Sequence, residues 1–217
     1  MAVERKPYRR EAEDKRRLAL IEATLALVSE GGAATATVRA IAARAGVTPG
    51  LIRHYFHTKE ELIAASYRHL MTSMITDTAG VLTSAPRDAN ARLAAFVAAS
   101  LRPPVLDREA VVRWAAFIQE TRNSPVMLDI HHQTYLAFRD QLQGLIAALP
   151  NAPPRPDDQR RLAIACNALI DGLWLEGSTL PEAFAKGELV RIGIKAVGAI
   201  VGVDLNYYLL LSEPPDL

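Results

Sequence analysis

The sequence of 217 residues has one cysteine, few aromatic residues and no long uninterrupted apolar segment. The single cysteine, Cys166, excludes an intramolecular disulfide and fits a reducing compartment. The longest late apolar segment, Leu189 to Leu205, contains Arg191 and Lys195 and is too short and too charged to span a bilayer. The charged N-terminal stretch lacks the apolar core of a secretory signal. We therefore expect a cytoplasmic protein with no membrane partner.

Aromatic residues make up 6% of the chain, whereas hydrophobic residues reach 50% and Ala and Leu dominate among them. This composition favours helices, because Ala and Leu lose little on entering one. It is a poor composition for a β-sandwich or a barrel, which needs β-branched and aromatic residues. Gly and Pro interrupt the helical periodicity at intervals, so the sequence predicts an all-α protein with nine helices.

The near-zero net charge conceals an asymmetry along the chain. Residues 1–60 carry 11 basic and 7 acidic side chains, whereas residues 61–217 carry 14 basic and 17 acidic ones. A basic first quarter indicates an anionic partner for the N-terminal part. Residues 1–11 are charged and contain Pro7, and we expect a loose arm there. Its basic side chains either enter a groove of the partner or remain solvated; they are Arg5, Lys6, Arg9 and Arg10.

The segment after the first amphipathic helix has the pattern of a helix-turn-helix. Thr37 can cap a short helix from Val38 to Ala45, and Gly46 suits a tight turn that needs a positive φ. Thr48 can cap the next helix, which has Pro49 at its first position, where a missing N–H costs nothing. Two short helices joined in this way form the DNA-reading unit of many regulators.

The second short helix is expected to lie in the major groove. Ala42 and Ile52 hold the two helices together, so the opposite side of the second helix carries short or polar residues near its N-terminus. The alternative is an ordinary helical hairpin within a core, and Tyr55 could equally be half-buried there. The predicted contacts to double-stranded DNA are Thr37, Arg39, Thr48, Pro49, Gly50, Leu51, Arg53, His54, Tyr55 and Lys59.

This segment resembles the TetR family of one-component transcription regulators over about residues 15–65. The resemblance implies three N-terminal helices that read DNA and a helical C-terminal domain that dimerises and binds a small effector. It also implies that Lys59 contacts phosphate. Many members have aromatic residues where this chain has Arg53 and His54, so the operator sequence does not carry over. The matching residues are Ile41-Ala42, Ala45-Gly46-Val47-Thr48, Gly50, Ile52, Tyr55-Phe56, Lys59-Glu60 and Leu62.

The C-terminal part resembles the BetI-type subgroup of that family. The resemblance rests on Val112 to Phe117 and on Ala168 to Glu176, in which Asp171-Gly172-Leu173-Trp174 is the most specific run. Members include a repressor of choline-to-betaine genes, but the subgroup is broad and its effector does not carry over. We divide the chain into an arm with a helix-turn-helix domain, residues 1–60, and an effector-binding and dimerisation domain, residues 61–217.

The last two long helices are apolar on nearly every side, which predicts burial on every side and hence a partner subunit. The expected product is a four-helix interface with two-fold symmetry in a homodimer. An ordinary core within one chain is the alternative. The small residues expected to let helices approach closely are Gly193, Ala196, Gly198 and Gly202.

An effector pocket needs apolar walls and a few polar groups. Aromatic residues with a carboxylate would suit a quaternary ammonium through cation–π attraction, although each aromatic could simply belong to the core. Asp171 could instead cap a helix or bond within the dimer contact. The candidates are Phe96, Trp114, Phe117, Glu120, Tyr135, Phe138, Asp171 and Trp174, with Gln119 and Glu176 as further polar groups.

Other chemistry is sparse in the sequence. The histidine pairs His54/His57 and His131/His132 lack further ligands at metal-site spacing, and we expect neither a metal nor a cofactor. Cys166 lies in an apolar segment and is interpreted as a small hydrophobe. No nucleophile or metal motif supports an enzyme. The sequence therefore predicts a repressor released from a palindromic operator by a small effector. The alternatives are a DNA-binding protein without effector and an activator. An enzyme is the least favoured alternative, because the sequence lacks such a motif.

Overall fold

The computed structural model describes the backbone of residues 5–122 and 124–208, and side chains from residue 13 onward within those ranges. Over these ranges the chain forms nine complete α-helices, the beginning of a further helix at residues 206–208 and three short 3-10 helices, without any β-strand, and the all-α prediction is confirmed. The α-helices are α1 (Arg5–Gly31), α2 (Val38–Arg44), α3 (Pro49–Tyr55), α4 (Lys59–Gly80), α5 (Ala89–Ser100), α6 (Arg108–Ile118), α7 (Pro125–Ala147), α8 (Pro156–Thr179) and α9 (Glu188–Val201).

The first of two compact units comprises residues 1–71 and 112–132. On α1, Ile21, Leu25 and Val28 recur at helical spacing and are buried, whereas Leu18, which the same periodicity places with them, is exposed. Helix α1 packs on α2, and α2 packs on α3. This part of the unit holds the short helices of the helix-turn-helix in place.

The second unit comprises residues 72–111 and 133–217. Helices α5, α8 and α9 pack on one another, and their apolar sides meet in a core that includes Phe96, Val97, Ile170, Ile194 and Val197. Burial of side chains of this size removes apolar area from water and is the main force that holds the three helices together.

Two glycines of α9 permit close contacts within the chain. A Cβ on Gly193 would collide with Leu101, and a Cβ on Gly198 would come within 2.5 Å of the Val203 carbonyl oxygen. Gly202 ends the helix with φ 71°, in the left-handed region. Gly193 and Gly198, which the sequence predicts to permit close approach, thus lie in close contact with other parts of their own chain.

Several predicted helix boundaries need correction. The backbone of α1 begins at Arg5, so the loose arm over residues 1–11 is wrong from that residue onward. Pro7 lies in the first turn, where no intrahelical N–H is required. The sequence pattern predicts that the helix after Thr58 ends at about Asp77 and that another runs near residues 107–122. Instead, α4 runs to Gly80, and the end of the second segment tightens into a 3-10 helix, Gln119–Arg122.

The predicted domain division falls between residues 60 and 61, within the first turn of α4. The first compact unit extends beyond that point, to residue 71 and again over residues 112–132. The division at residue 60 therefore stays a prediction about function, whereas the compact units group the residues differently.

Candidate functional site

Helix α2 is fixed at its N-terminus by Thr37 and along its buried side by apolar residues. The backbone N–H of Ala40 donates to Thr37 Oγ1 at 3.2 Å, as the predicted cap requires. Ile41 and Ala42 are buried. Gly46 then turns the chain with φ 65°, which confirms the predicted role of this glycine.

Helix α3 buries one side and exposes the other. Ile52 and Phe56 are buried, and Ile52 holds α3 against α2 as the sequence predicts. Thr48 stands at the N-cap position, but its side chain makes no capping hydrogen bond, so its predicted capping role is wrong. The exposed candidates in and beside this helix are Thr48, Pro49, Gly50, Arg53 and His54, whereas Leu51 and Tyr55 are half-buried.

Gly50 has no role in the described packing of its own chain. Its φ lies outside the left-handed region, and no heavy atom lies within 4 Å of the position that a Cβ would occupy. Alanine favours helices over glycine by up to about 1 kcal/mol. The described residues therefore give no reason for a glycine at this position.

The start of α4 is tied to the end of α3. The N–H of Glu61 donates to Thr58 Oγ1 at 3.0 Å, and the N–H of His57 donates to Glu61 Oε2 at 3.0 Å. This reciprocal arrangement is the capping box that the spacing of Thr58 and Glu61 in the sequence predicts for the start of this helix. Lys59, half-buried in the first turn, and the exposed Thr37 and Arg39 complete the predicted DNA-contacting set within the first unit.

Two charged contacts brace this region against α1. Arg44 on α2 donates to both carboxylate oxygens of Glu30, at 2.6 and 3.0 Å, which is the bidentate geometry that Arg and carboxylates favour. The guanidinium of Arg17 lies 5.1 Å from the centre of the Phe56 ring. The side chains of Arg5, Lys6, Arg9 and Arg10, predicted to enter a groove, lie outside the described residues.

In the first unit, the predicted effector residue Phe117 belongs to an aromatic stack. The Tyr67 ring lies parallel to the Phe117 ring at 5.3 Å, and Tyr67 Oη is hydrogen-bonded to His131 Nδ1 at 2.8 Å. Burial raises the pKa of Tyr67 to about 12. Burial and, secondarily, the neighbouring His132 lower the pKa of His131. The other candidates of this unit, Trp114 and Glu120, are half-buried.

In the second unit, Tyr135 on α7 meets Asn167 and Asp171 on α8 in what we call the amide–carboxylate cluster. The Tyr135 hydroxyl donates to Asp171 Oδ2 at 2.5 Å, and Asn167 Nδ2 donates to the same oxygen at 2.8 Å. Asn167 Nδ2 also lies 2.6 Å from Tyr135 Oη. Of these three residues, sequence reasoning selected Tyr135 and Asp171 and missed Asn167.

Burial dominates the electrostatics of the amide–carboxylate cluster. Burial raises the pKa of the Asp171 carboxyl, against the two donated hydrogen bonds, which lower it. Burial and then the contact with Asp171 raise the pKa of Tyr135 to about 12. Because Asp171 bonds to Tyr135 and Asn167 of its own chain, it is not a helix cap.

The remaining effector candidates of the second unit have core contacts. The Phe96 and Phe138 rings are 5.1 Å apart. The indole N–H of Trp174 donates to the Val105 carbonyl oxygen at 2.8 Å, so its polar group is already used within the chain. Phe96 and Trp174 are buried, and their role toward an effector stays a prediction.

Helices α8 and α9 are not buried on every side within one chain, although their apolar sequence predicts burial on every side once a partner subunit is present. On α8, Ile164, Ala168, Gly172 and Leu175 follow one another at helical spacing and are exposed, with Leu175 at 47%. On the adjacent α9, Ile192 is 40% exposed. We call these residues the α8–α9 apolar face.

The described ranges do not meet the requirements of a metal site, a reactive thiol or a membrane span. They contain no group of three or more His, Cys, Asp or Glu side chains able to hold a metal ion. Cys166 is buried, and burial raises the pKa of its thiol to about 11, which disfavours the reactive thiolate. None of the helices in these ranges combines the length and the hydropathy needed to cross a bilayer.

Two family profiles match the chain in the order that the fold suggests. The profile of the bacterial regulatory proteins of the tetR family matches residues 20–66. The profile of the BetI-type transcriptional repressors, C-terminal part, matches residues 89–202. The first match covers the helix-turn-helix and the second covers α5 to α9.

Relatives of known name agree with these profiles. The HTH-type transcriptional regulator BetI of Paraburkholderia phytofirmans is 33% identical over 177 residues, which cover 82% of this chain and 89% of the relative. The BetI regulator of Burkholderia lata is 32% identical over 163 residues, which cover 75% of this chain and 82% of the relative.

Solved structures show the same fold. A protein from Pseudomonas aeruginosa PAO1, assigned as a transcriptional regulator, superimposes with a TM-score of 0.80 at 32% identity, over 90% of this chain and 95% of its own. A regulator from Saccharomonospora viridis, crystallised in complex with choline, superimposes with a TM-score of 0.67 at 20% identity, over 87% and 97%. These relatives and neighbours are regulators of transcription and not enzymes.

Proposed function

We propose, from the premise that the chain belongs to the TetR family of DNA-binding transcriptional regulators and to its BetI-type branch, that it is a homodimeric repressor which a small effector releases from a palindromic operator. Regulators of this family bind DNA and form dimers. The sign of regulation and the response to an effector are part of the proposal. We place its action in the cytoplasm, as expected for a regulator of genes.

Gly50 is the observation that carries the DNA-binding part of the proposal. Apart from its chain neighbours and its own helix backbone, no described residue approaches the place of its missing side chain, so packing within the described residues does not require a glycine there. A major groove brings a recognition helix close to base edges and phosphates, and a residue without a Cβ permits the closest approach. The exposed Arg53 and His54 would then supply donors to bases or phosphates from the same helix.

The remaining contacts are assigned by position in the first unit. Thr37 and Thr48 lie at helix N-termini, where hydroxyl and backbone N–H groups suit phosphate oxygens. Leu51 suits a thymine methyl group, and Lys59 suits a phosphate as a compact positive charge. Arg39, Pro49 and Tyr55 complete the proposed interface.

The α8–α9 apolar face supports the homodimer. Large apolar side chains that lie side by side in water mark a surface that another protein covers. Gly172 in the middle of α8 has open space where a Cβ would stand, which allows a second helix to approach there. A two-fold symmetric dimer also carries two copies of α3, one for each operator half-site.

Substitution of Gly50 by alanine tests the DNA contact. We expect Gly50→Ala to leave the melting temperature unchanged or higher, because alanine favours the helix, and to weaken DNA binding about ten-fold or more. Binding is measured by fluorescence anisotropy on genomic fragments that the wild-type protein selects. Gly144→Ala on α7 is the matched control, since a Cβ has open space there as well. Equal affinities of the two variants would contradict the role of α3 as the reading helix.

Substitution of Leu175 by glutamate tests the dimer. We expect Leu175→Glu to give monomers in sedimentation equilibrium at micromolar concentration, because a buried charge without a partner opposes association. Leu136→Glu on α7 introduces the same charge at another exposed leucine, which is 40% accessible, and should leave the dimer intact. A dimeric Leu175→Glu protein, or a monomeric wild type, would remove the proposed interface.

A further inference from the structure

The amide–carboxylate cluster holds two oxygen atoms that accept no hydrogen bond from the described residues. Both bonds to Asp171 end on Oδ2, which leaves Oδ1 without a donor. Asn167 Oδ1 is buried and has no partner either, and the whole residue is 3% exposed. A buried acceptor without a donor lowers the stability of the folded chain by about 1–3 kcal/mol. The arrangement is therefore unfavourable unless another group donates a hydrogen bond to it.

The orientation of the Asn167 amide follows from its neighbours. Its Nδ2 faces the Asp171 carboxylate, and an exchange of the amide oxygen and nitrogen would place two acceptors against each other. The Oδ1 atom is therefore the one left without a donor. A chain that only required a well-satisfied core would gain from an apolar residue at this place.

The Asp171 carboxylate also lacks a positive charge. Tyr135 and Asn167 are neutral donors, and within the described ranges no Lys, Arg or His forms an ion pair with Asp171. Arg139, one helical turn beyond Tyr135, acts on the ionisation of that tyrosine and does not pair with the carboxylate. Half-buried carboxylates are normally paired with a cation or protonated, and here the described residues supply no cation.

An aromatic surface adjoins the cluster on α7. Phe138 follows Tyr135 by three residues, which places the two rings on the same side of the helix. Phe138 is half-buried and its ring lies 5.1 Å from that of Phe96. A ligand whose charged end reaches Asp171 could therefore lay a hydrocarbon part along these rings.

We propose that the amide–carboxylate cluster binds the ammonium group of a protonated amine that retains at least one N–H bond, with Asp171 Oδ1 and Asn167 Oδ1 as its acceptors. The proposal deepens the proposed function, since this amine is the class of the effector. A quaternary ammonium group has charge but no N–H, and it would leave Asn167 Oδ1 unpaired. A site that contains unpaired polar groups discriminates strongly against the analogue that cannot pair with them.

Paired ligands that differ only in methylation at nitrogen test the proposal. Isothermal titration calorimetry on the full chain uses n-butylamine, n-hexylamine and 2-phenylethylamine, each beside its N,N,N-trimethyl derivative. We expect at least one amine to bind, and we expect the affinity of its trimethyl derivative to be lower by a factor of about ten or more. Asp171→Asn should weaken binding of that amine at least ten-fold. Asp140→Asn, an exposed carboxylate on α7, removes the same charge elsewhere and should leave the affinity unchanged.

Three results would overturn the proposal: no amine of the panel binds, every trimethyl partner binds as tightly as its amine, or Asp171→Asn retains the wild-type affinity. If Asp171→Asn does not fold, the comparison between each amine and its trimethyl partner on the wild-type protein decides alone. DNA binding is measured on the same preparations. If the wild-type protein binds DNA but no amine, this inference is wrong and the proposed function is unaffected. If the wild-type protein does not bind DNA, the proposed function is wrong.

Discussion

Two tyrosines, Tyr67 in the first unit and Tyr135 in the second, each form a hydrogen bond between two helices and each have a pKa raised to about 12, chiefly by burial. Tyr67 is fully buried, stacks on Phe117 and shares its hydrogen bond with one imidazole nitrogen of His131. Tyr135 is half-buried and joins two residues that still carry acceptors without donors.

The difference between the two sites lies in the balance of donors and acceptors and not in burial or pKa. At Tyr67 the hydroxyl pairs with a single nitrogen, and the ring contacts are those of a core. At Tyr135 the acceptors outnumber the donors that the chain supplies. A raised tyrosine pKa therefore indicates a buried ring in both places, whereas only the Tyr135 site has the unmatched acceptors on which the amine proposal rests.

Removal of each side chain should separate the two sites most clearly. We expect Tyr67→Ala to lower the free energy of unfolding by about 3–5 kcal/mol, as for other large buried aromatic side chains. Tyr135→Ala should cost less, about 1–2 kcal/mol, because part of that ring is already in contact with water. Urea unfolding followed by circular dichroism gives both values, and equal losses would show that Tyr135 is as much a core residue as Tyr67.

Removal of the hydroxyl groups alone should have a smaller effect. Tyr67→Phe keeps the stack on Phe117 and leaves His131 Nδ1 without its partner, at a cost of about 1–2 kcal/mol. Tyr135→Phe should cost less than about 0.5 kcal/mol, since Asn167 still donates to Asp171 and water can approach the half-buried site. A larger loss at Tyr135 in the same urea experiment would contradict the distinction.

The pH dependence should give the smallest effects, with opposite signs at the two sites. The pKa of Asp171 is higher in the folded chain than in the unfolded one, so its contribution to stability falls as pH rises through the folded-state pKa. The pKa of His131 is lower in the folded chain, so its contribution falls as pH drops below about 6.5. Relative to wild type, Asp171→Asn should gain in melting temperature toward about pH 8, and His131→Gln should gain toward about pH 5. The same sign for both variants would refute this assignment.

Local signals in the sequence predicted the DNA-reading part well. The Thr37 cap, the Gly46 turn and the burial of Ile52 each depend on residues a few positions apart, and the structure has all three. Thr48 occupies its predicted place without its predicted bond, because a residue type at the N-cap does not fix the side-chain rotamer. The role of this face toward DNA stays a proposal.

The long-range contacts were harder to predict. The hydrogen bond of Tyr135 to Asp171 joins residues 36 apart, and no periodicity states which helices meet. One signal was available: Asn167 is a polar residue in an apolar helix, one turn before Asp171, and polar residues there usually have a partner. Gly193 gives a second example, since a small residue on an apolar helix does not reveal which neighbour requires it.

The backbone torsion of the turn at Gly46 limits which amino acids can replace this glycine. Its φ of 65° strains most L-residues, yet no described atom lies within 4 Å of a Cβ built there, so the restriction is one of backbone torsion and not of space. Asn and Asp tolerate this torsion best after glycine, and β-branched residues tolerate it least. A library of all codons at position 46, selected for operator binding, should therefore return glycine first and asparagine next, and should lose valine and isoleucine early.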